Sequence, residues 1–194
     1  MGKHRLEAFS DGVLAILITI LVLELKVPHG TEIAALAPLI PVFLTYVLSF
    51  VYLGIYWNNH HHLLQLCNRV TGAMLWANLA LLFWLSLVPF ATGWMGENHF
   101  AAWPTALYGV VLLMAALSYT WLQTLIIRAE GPDSRIAQAV RADRKGKLSL
   151  ALYVLAIVAA LRLGWLSLAI YVLVALIWLV PDRRIERVAS HVAD

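Results

Sequence analysis

The stretch that decides the fold is RLEAFSDGVLAILITILVLEL, which runs from Arg5 to Leu25. It is apolar over about the 20 residues that a helix needs to cross the ~30 Å hydrocarbon core of a bilayer. Polar side chains nevertheless occur at its start, at Ser10 and Asp11, and in its middle, at Thr19. Polar groups within a membrane are costly unless they have partners or a function. This segment is therefore predicted to be a membrane-spanning helix that does more than anchor the chain.

The composition of the whole chain is that of an integral membrane protein. Hydrophobic residues make up 62% of its 194 residues and charged residues 13%, whereas soluble domains contain about 45–50% and about 25%. The net charge of +3 is expected to reflect basic cytoplasmic loops, so no nucleic-acid partner is predicted. The single cysteine, Cys67, excludes a disulfide within the chain.

Six apolar segments follow one another along the chain and predict an all-α fold, a six-helix bundle that forms one transmembrane domain over residues 1–194. The predicted helices cover about residues 6–25, 37–62, 71–94, 103–127, 148–161 and 165–180. Pro89 is expected to kink the third helix. A tight turn at Arg162–Gly164 is expected to divide the last apolar block, which is too long for a single crossing.

Basic residues predict the orientation of these helices. With six crossings and both termini in the cytoplasm, only Lys26 and Arg162 of the 14 Lys and Arg residues fall on the outer side. Membrane proteins carry an excess of Lys and Arg on their cytoplasmic loops. Merging the last two helices would move Arg183, Arg184 and Arg187 outside and weaken this bias. The pattern therefore favours six spans with both ends inside.

The first helix has two sides that differ in chemistry. Ile16, Thr19, Ile20 and Leu23 follow the i, i+3, i+4, i+7 spacing of one helical stripe, while Ser10 and Asp11 face away from it. Such a stripe is more often a packing face than the lining of a pore. From spacing alone, both interpretations remain open.

The topology supplies partners for Ser10 and Asp11. The second helix ends on the cytoplasmic side in WNNHHHLLQ, Trp57–Gln65, and the third helix leaves that side through TGAMLWANL, Thr71–Leu79. Imidazole, indole and amide N–H groups are all donors to a carboxylate. A hydrogen-bonded lock between the first three helices is therefore predicted, and Arg5 is a further candidate to neutralise Asp11.

Three consecutive histidines, His60–His62, do not predict a metal site, because neighbouring residues on a helix point about 100° apart. The sequence offers no nucleophile–base pair and no phosphate-binding glycine-rich loop, so neither an enzyme nor a cofactor is predicted. A proton-coupled secondary transporter, with Asp11 and these histidines as titrating groups, is the alternative to a channel. The absence of an internal repeat counts against that alternative.

One motif in the first helix is specific. The pattern R-x-x-x-F-S-D, formed by Arg5, Phe9, Ser10 and Asp11, resembles the first helix of the transmembrane protein 175 family. This family comprises endolysosomal potassium channels of animals and shorter bacterial and archaeal relatives. The similarity extends to residues in all three N-terminal helices: Ile16, Trp57, Asn58, His60, His61, Trp76, Asn78, Pro89 and Phe90.

The resemblance implies a homotetramer of six-helix subunits in the bacterial or archaeal cell membrane. It implies a passive, potassium-preferring cation channel that lacks a T-V-G-Y-G filter, with K⁺ as the permeant ion and no cofactor. Four copies of the first helix would line the pore, with Ile16 as the narrowest gate, Ile20 and Leu23 as further apolar rings, and Thr19 contributing with Ile16 to selectivity. The implied lock of helix 1 consists of Arg5, Phe9, Ser10, Asp11, His60, His61, Trp76 and Asn78.

Overall fold

The computed structural model describes residues 2–140 and 144–179, and its regular elements are all helical within these ranges. The α-helices are α1 Lys3–Leu21, α2 Ile40–Gln65, α3 Gly72–Ser86, α4 Val88–Glu97, α5 Ala102–Glu130, α6 Arg135–Val140, α7 Arg144–Ala160 and α8 Gly164–Leu179. Two 3-10 helices accompany them: Val22–Glu24 extends α1, and Ile33–Leu39 precedes α2.

Among the described residues, four helical segments are long and apolar enough to cross a membrane: Lys3–Glu24, Ile33–Gln65, Gly72–Glu97 and Ala102–Glu130. The helix Gly164–Leu179 is apolar but shorter. The all-α membrane fold predicted from composition is therefore confirmed, while the count of six crossings and the cytoplasmic termini stay predictions. Val180, Arg141 and the three C-terminal arginines used in the orientation argument lie outside the described residues.

The third predicted helix is two helices rather than one kinked helix. α3 ends at Ser86 and α4 begins at Val88, with Pro89 in the first turn of α4. Proline has no backbone N–H and its ring clashes with the carbonyl four residues earlier, so it fits a first turn but interrupts a helix interior. Proline has a similar effect on the second predicted helix, where Pro38 lies in the 3-10 segment and regular α-helix starts only at Ile40.

The polar stretch that follows the fourth predicted helix is more helical than expected. α5 continues to Glu130, α6 follows at Arg135–Val140, and α7 already begins at Arg144. The apolar pattern located the part of each helix suited to lipid, and the helices extend beyond that part. The turn between α7 and α8 lies at residues 161–163, beside the predicted turn at Arg162–Gly164.

α5 and α2 organise the bundle. α5 packs against α3, α4, α7 and α8, while α2 packs against α1, α4 and α8. α1 contacts α2, α3 and α4, and a single row of leucines on α1 is buried against the bundle: Leu6, Leu14, Leu17 and Leu21. Since helices pair through one stripe of side chains, this packing covers one face of α1 and leaves the other to be explained.

Buried tyrosines join the C-terminal helices to α2. The hydroxyl of Tyr52 donates to the carbonyl of Tyr171 at 2.6 Å, and the hydroxyl of Tyr171 donates to the carbonyl of Thr105 at 3.0 Å. Ser49 on α2 lies 3.0 Å from the hydroxyl of Tyr108 and 2.6 Å from that of Thr92. Buried polar groups stabilise a fold only when they are paired, and these pairs connect α2, α4, α5 and α8 into the scaffold on which α1 rests.

Candidate functional site

The face of α1 opposite the buried leucines is the candidate functional surface. The exposed fractions of Ile16, Ile20 and Leu23 are 58%, 38% and 75%. Thr19 is exposed between them, and its hydroxyl donates to the carbonyl of Ile16 at 2.8 Å. An apolar stripe that the chain itself does not cover is suited to contact with lipid or with further copies of the chain.

A buried chain of hydrogen bonds holds the other side of α1. The side-chain oxygen of Asn78 on α3 lies 2.7 Å from Nε2 of His60 on α2. The side-chain nitrogen of Asn78 donates to Oγ of Ser10 at 2.9 Å. Ser10 in turn donates to the carbonyl of Leu6 at 2.9 Å. Ser10, Asn78 and His60 are all buried, so the structure brings together three members of the predicted lock, one from each N-terminal helix.

The bond from Ser10 to Leu6 determines the direction of the other hydrogen bonds between Ser10, Asn78 and His60. The hydroxyl of Ser10 has one hydrogen, which it donates to the carbonyl of Leu6. Ser10 must therefore accept from Asn78, whose amide nitrogen is the donor. The amide oxygen of Asn78 then faces His60, and this contact requires a hydrogen on Nε2 of the imidazole.

Asp11 has a partner that the predicted lock did not contain. The indole nitrogen of Trp57 donates to Oδ1 of Asp11 at 3.1 Å, at a position where Trp57 is partly exposed. The ring of Trp57 also stacks on His61, with 6.3 Å between ring centroids. His61 itself lies 2.9 Å from the side-chain nitrogen of Gln65. The sequence carried the signal, since indole N–H was among the donors expected at this depth, but it did not single out Trp57.

Three other predicted members do not join the lock within the chain. Trp76 is 70% exposed, because residues two apart on a helix point about 200° apart and Asn78 already faces α1. Phe9 is 50% exposed and Arg5 is also exposed. Both follow the register of Ile16, so they extend the uncovered stripe towards the start of α1.

Both ends of α1 are also fixed to the bundle. At its start, Nζ of Lys3 donates to the carbonyl of Gln65 at 2.9 Å, at the carboxyl end of α2 where cations are favoured. Beyond its other end, Lys26 forms an ion pair with Glu97 on α4. Hydrogen bonding and charge attraction from Glu97 raise the pKa of Lys26 above its ordinary value, so its ammonium is charged throughout the neutral range.

Metal ligands do not cluster here. In the part of the chain that the structure describes, no group of three or more His, Cys, Asp or Glu side chains could hold a metal ion. The buried lock consists of hydrogen bonds between neutral groups, and its outer member Asp11 is paired with an indole. The arrangement can orient a helix, and it contains no nucleophile poised for chemistry.

Comparison with known proteins identifies the family. The family model described as endosomal/lysosomal potassium channel TMEM175 matches residues 5–89. A potassium channel of Chryseobacterium is 56% identical over 187 residues, covering 96% of this chain and 97% of that protein. The chain belongs to the TMEM175 family. The resemblance inferred from the R-x-x-x-F-S-D motif is therefore confirmed.

Further relatives extend the comparison. A potassium channel of Streptomyces collinus is 38% identical over 72% of this chain and 73% of its own. A crystal structure described as a lysosomal potassium-selective channel TMEM175 homolog from Chamaesiphon minutus matches with a TM-score of 0.82 and 29% identity, covering 93% of this chain and 97% of that one. Human TMEM175, named an endosomal/lysosomal proton channel, is 37% identical over 47% of this chain but only 20% of its own length.

The residues matched by the TMEM175 model are those that build the candidate site. They include α1, α2 and α3 and end at Pro89 in the first turn of α4. The relatives bear the names of ion channels, so the family is one of channels and not of enzymes. The chain is thus a membrane protein of a potassium-channel family.

Proposed function

We propose that this TMEM175 protein is a potassium-preferring cation channel that assembles as a homotetramer in the cell membrane, with four copies of α1 lining the pore. The observation that carries the proposal is the uncovered stripe on α1, where Ile16 and Leu23 are exposed while the opposite leucines are buried. One α1 cannot enclose an ion pathway. The stripe becomes a pore lining only when several subunits bring their α1 helices together.

Apolar rings on this stripe form the gate of the proposed pore. Ile16 is its narrowest ring, and Ile20 and Leu23 follow outward along the pore. Hydrophobic constrictions gate by losing water. An ion that passes a ring of isoleucines sheds part of its hydration with little compensation, which favours K⁺ over Na⁺ because K⁺ is the more cheaply dehydrated. Preference for K⁺ is therefore modest, and the exposed hydroxyl of Thr19 contributes to it.

The buried chain from His60 through Asn78 to Ser10 serves the proposed channel by fixing the rotation of α1. A rotation of α1 by one residue position, about 100°, would move Ile16 off the axis. The hydrogen bond from Asn78 to Ser10, which joins α3 to α1, opposes such a rotation because breaking it would leave the buried amide nitrogen of Asn78 unpaired. Trp57 and Asp11 support the same orientation nearer the surface.

Flux and mass measurements test the proposal together. Purified protein in liposomes is expected to pass K⁺ faster than Na⁺, without saturation and without a requirement for a pH gradient or an added cofactor. The detergent-solubilised complex is expected to have four times the 21.6 kDa mass of one chain, once bound detergent is subtracted. A folded, stable monomer, or saturable movement of a substrate driven only by a pH gradient, would contradict the channel and favour the transporter.

A further inference from the structure

The outer end of α1 rests on bare backbone of α4. Glu24 ends the 3-10 turn that extends α1, and its carboxylate lies against Gly93. A Cβ atom added at Gly93 would overlap that carboxylate, and its three nearest neighbours would all be atoms of Glu24, with Cδ at 2.8 Å. Only glycine leaves room for this contact. We call this contact between the Glu24 carboxylate and Gly93, which joins the outer end of α1 to α4, the Glu24 seat.

A second contact lies one helical turn further along α4. Lys26 pairs with Glu97, four residues after Gly93, and Glu24 also contributes to the negative charge around Lys26. Since exposed ion pairs contribute little to stability by themselves, this pair mainly helps to orient the segment after α1 relative to α4. The Glu24 seat and the ion pair together join the chain that leaves α1 to the last two turns of α4.

α4 is itself held firmly in the bundle at this level. A Cβ added at Gly96, three residues after Gly93, would lie 2.8 Å from Cα of Val42 and 2.6 Å from Oγ1 of Thr45, both on α2. Backbone in such close contact cannot yield to a side chain. α4 is therefore a rigid support for the outer end of α1. At Gly93, by contrast, the neighbouring atoms belong to the end of the flexible Glu24 side chain and can move.

We propose that Gly93 is a positioning residue for ion conduction, because the Glu24 seat holds the outer end of the pore helix back against α4. This inference rests on the proposed function, in which Leu23 contributes an apolar ring. Leu23 and Glu24 are neighbours on a 3-10 turn and point about 120° apart, so seating Glu24 on α4 fixes how far Leu23 reaches towards the pore axis.

Loss of the Glu24 seat narrows the pore at Leu23. Leu23 is 75% exposed in the single chain, and four such side chains gain by covering one another from water. When α4 no longer holds the outer end of α1, this attraction draws the four leucines towards the axis. The current through each open channel then falls, while the number of assembled channels stays the same.

Substitution of Gly93 by Ala tests this directly. The variant is expected to fold, because the three atoms nearest to the added methyl group all belong to the movable side chain of Glu24, and to displace Glu24 from its seat. Single-channel recording is expected to give a unitary K⁺ conductance about three- to tenfold below that of the unmodified protein, a typical size for coupling between residues in contact. The matched control is Gly54→Ala, on α2, where an added Cβ has nothing within 4 Å and the conductance is expected to stay unchanged.

The dependence on Glu24 separates the seat from a general effect of the substitution. In a Glu24→Ala background, Gly93→Ala is expected to have no further effect on unitary conductance. The proposal is overturned by an unchanged conductance in Gly93→Ala, or by a reduction of equal size with and without Glu24. If Gly93→Ala does not assemble, two substitutions of Glu24 replace it as the test. Asp is too short to reach Gly93 and Gln is long enough, so Glu24→Asp is expected to conduct less than Glu24→Gln. Equal conductances of these two variants overturn the proposal.

The proposed function fails in a different way. If the channel proposal is wrong, the unmodified protein and Gly54→Ala pass no K⁺ at all. If only the Glu24 seat is wrong, both conduct and Gly93→Ala conducts equally well.

Discussion

The side-chain nitrogen of Asn78 lies 2.9 Å from the hydroxyl oxygen of Ser10, so α3 donates a buried hydrogen bond to α1. Both residues are fully buried. Asn78 also faces His60, so its side chain joins all three N-terminal helices. Its substitution is accordingly expected to be more damaging than that of either partner.

Asn78→Ala is expected to lower the free energy of unfolding by about 1–2 kcal/mol, because it leaves Nε2 of the buried His60 without its partner and removes the donor to Ser10. Ser10→Ala removes a single partner and is expected to have a smaller effect. Thermal unfolding of the detergent-solubilised protein measures both. Asn98→Ala is the control, since the exposed Asn98 side chain bonds only to a carbonyl of its own helix; equal losses for Asn78 and Asn98 would contradict the lock.

Trp57→Phe is expected to destabilise the fold by about 0.5–1 kcal/mol, because it removes the indole donor to Asp11 while keeping an aromatic ring. The same substitution in an Asp11→Asn background is expected to cost less. The difference between the two backgrounds measures the Trp57–Asp11 interaction. Trp103→Phe, at a tryptophan that is 72% exposed, supplies the reference for losing an indole. Full additivity would show that the 3.1 Å contact contributes nothing.

Ile16→Asn is expected to raise K⁺ flux by about tenfold, equivalent to lowering the barrier by about 1.4 kcal/mol, because a polar ring keeps the constriction hydrated. The ratio of K⁺ to Na⁺ flux is expected to fall towards one, since ions then retain more of their water. Ile33→Asn, at an isoleucine that is exposed but lies outside α1, is the matched control. Unchanged flux and selectivity in Ile16→Asn would remove Ile16 from the gate.

Thr19→Val is expected to reduce the K⁺/Na⁺ flux ratio by about two- to threefold, or about 0.5 kcal/mol, through loss of the hydroxyl ring. Thermal stability should change little, because the hydroxyl of Thr19 bonds only to the carbonyl of Ile16 in the same helix. Thr124→Val removes a similar intrahelical bond on α5 and is expected to leave the flux ratio unchanged. A shift of the same size in both variants would argue against a role for Thr19 in selectivity.

Gly96→Ala is expected to destabilise the protein by about 1–3 kcal/mol, because the added methyl group would press on the backbone of α2 at Val42. The yield of folded, assembled protein after purification is the measurement. Gly54→Ala again serves as the reference for placing alanine within a helix. Wild-type yield and stability in Gly96→Ala would show that α4 and α2 separate more readily than their close contact suggests.

The sequence predicted the parts of this architecture that depend on local patterns. Apolar runs located the helices, and helical spacing placed Ile16 and Ser10 on different sides of α1. Depth in the membrane brought His60 and Asn78 into the expected lock. The depth of a residue in the membrane does not predict which side of its helix the residue lies on, however. Depth therefore included Trp76, which points away from α1, and gave no reason to choose Trp57 over the neighbouring donors.

The sequence did not predict long-range packing for a similar reason. Nothing in the pattern of α4 distinguishes Gly93, which faces Glu24, from Gly96, which faces Val42. Both are glycines on one apolar helix, and only the crossing geometry of α1, α2 and α4 assigns their partners. The break at Leu87 likewise needed the structure, because proline predicts a disturbance in a helix but not whether the helix bends or restarts.

The fixed orientation of the buried hydrogen bonds has a consequence for proton movement. Ser10 and the Nε2–H of His60 meet on opposite ends of a carboxamide, the side chain of Asn78. A carboxamide neither gains nor loses a proton near neutral pH, so it cannot hand one from imidazole to hydroxyl. The three groups therefore stabilise the helix packing and do not conduct protons. A proton that reached His60 would go no further towards α1 by this route.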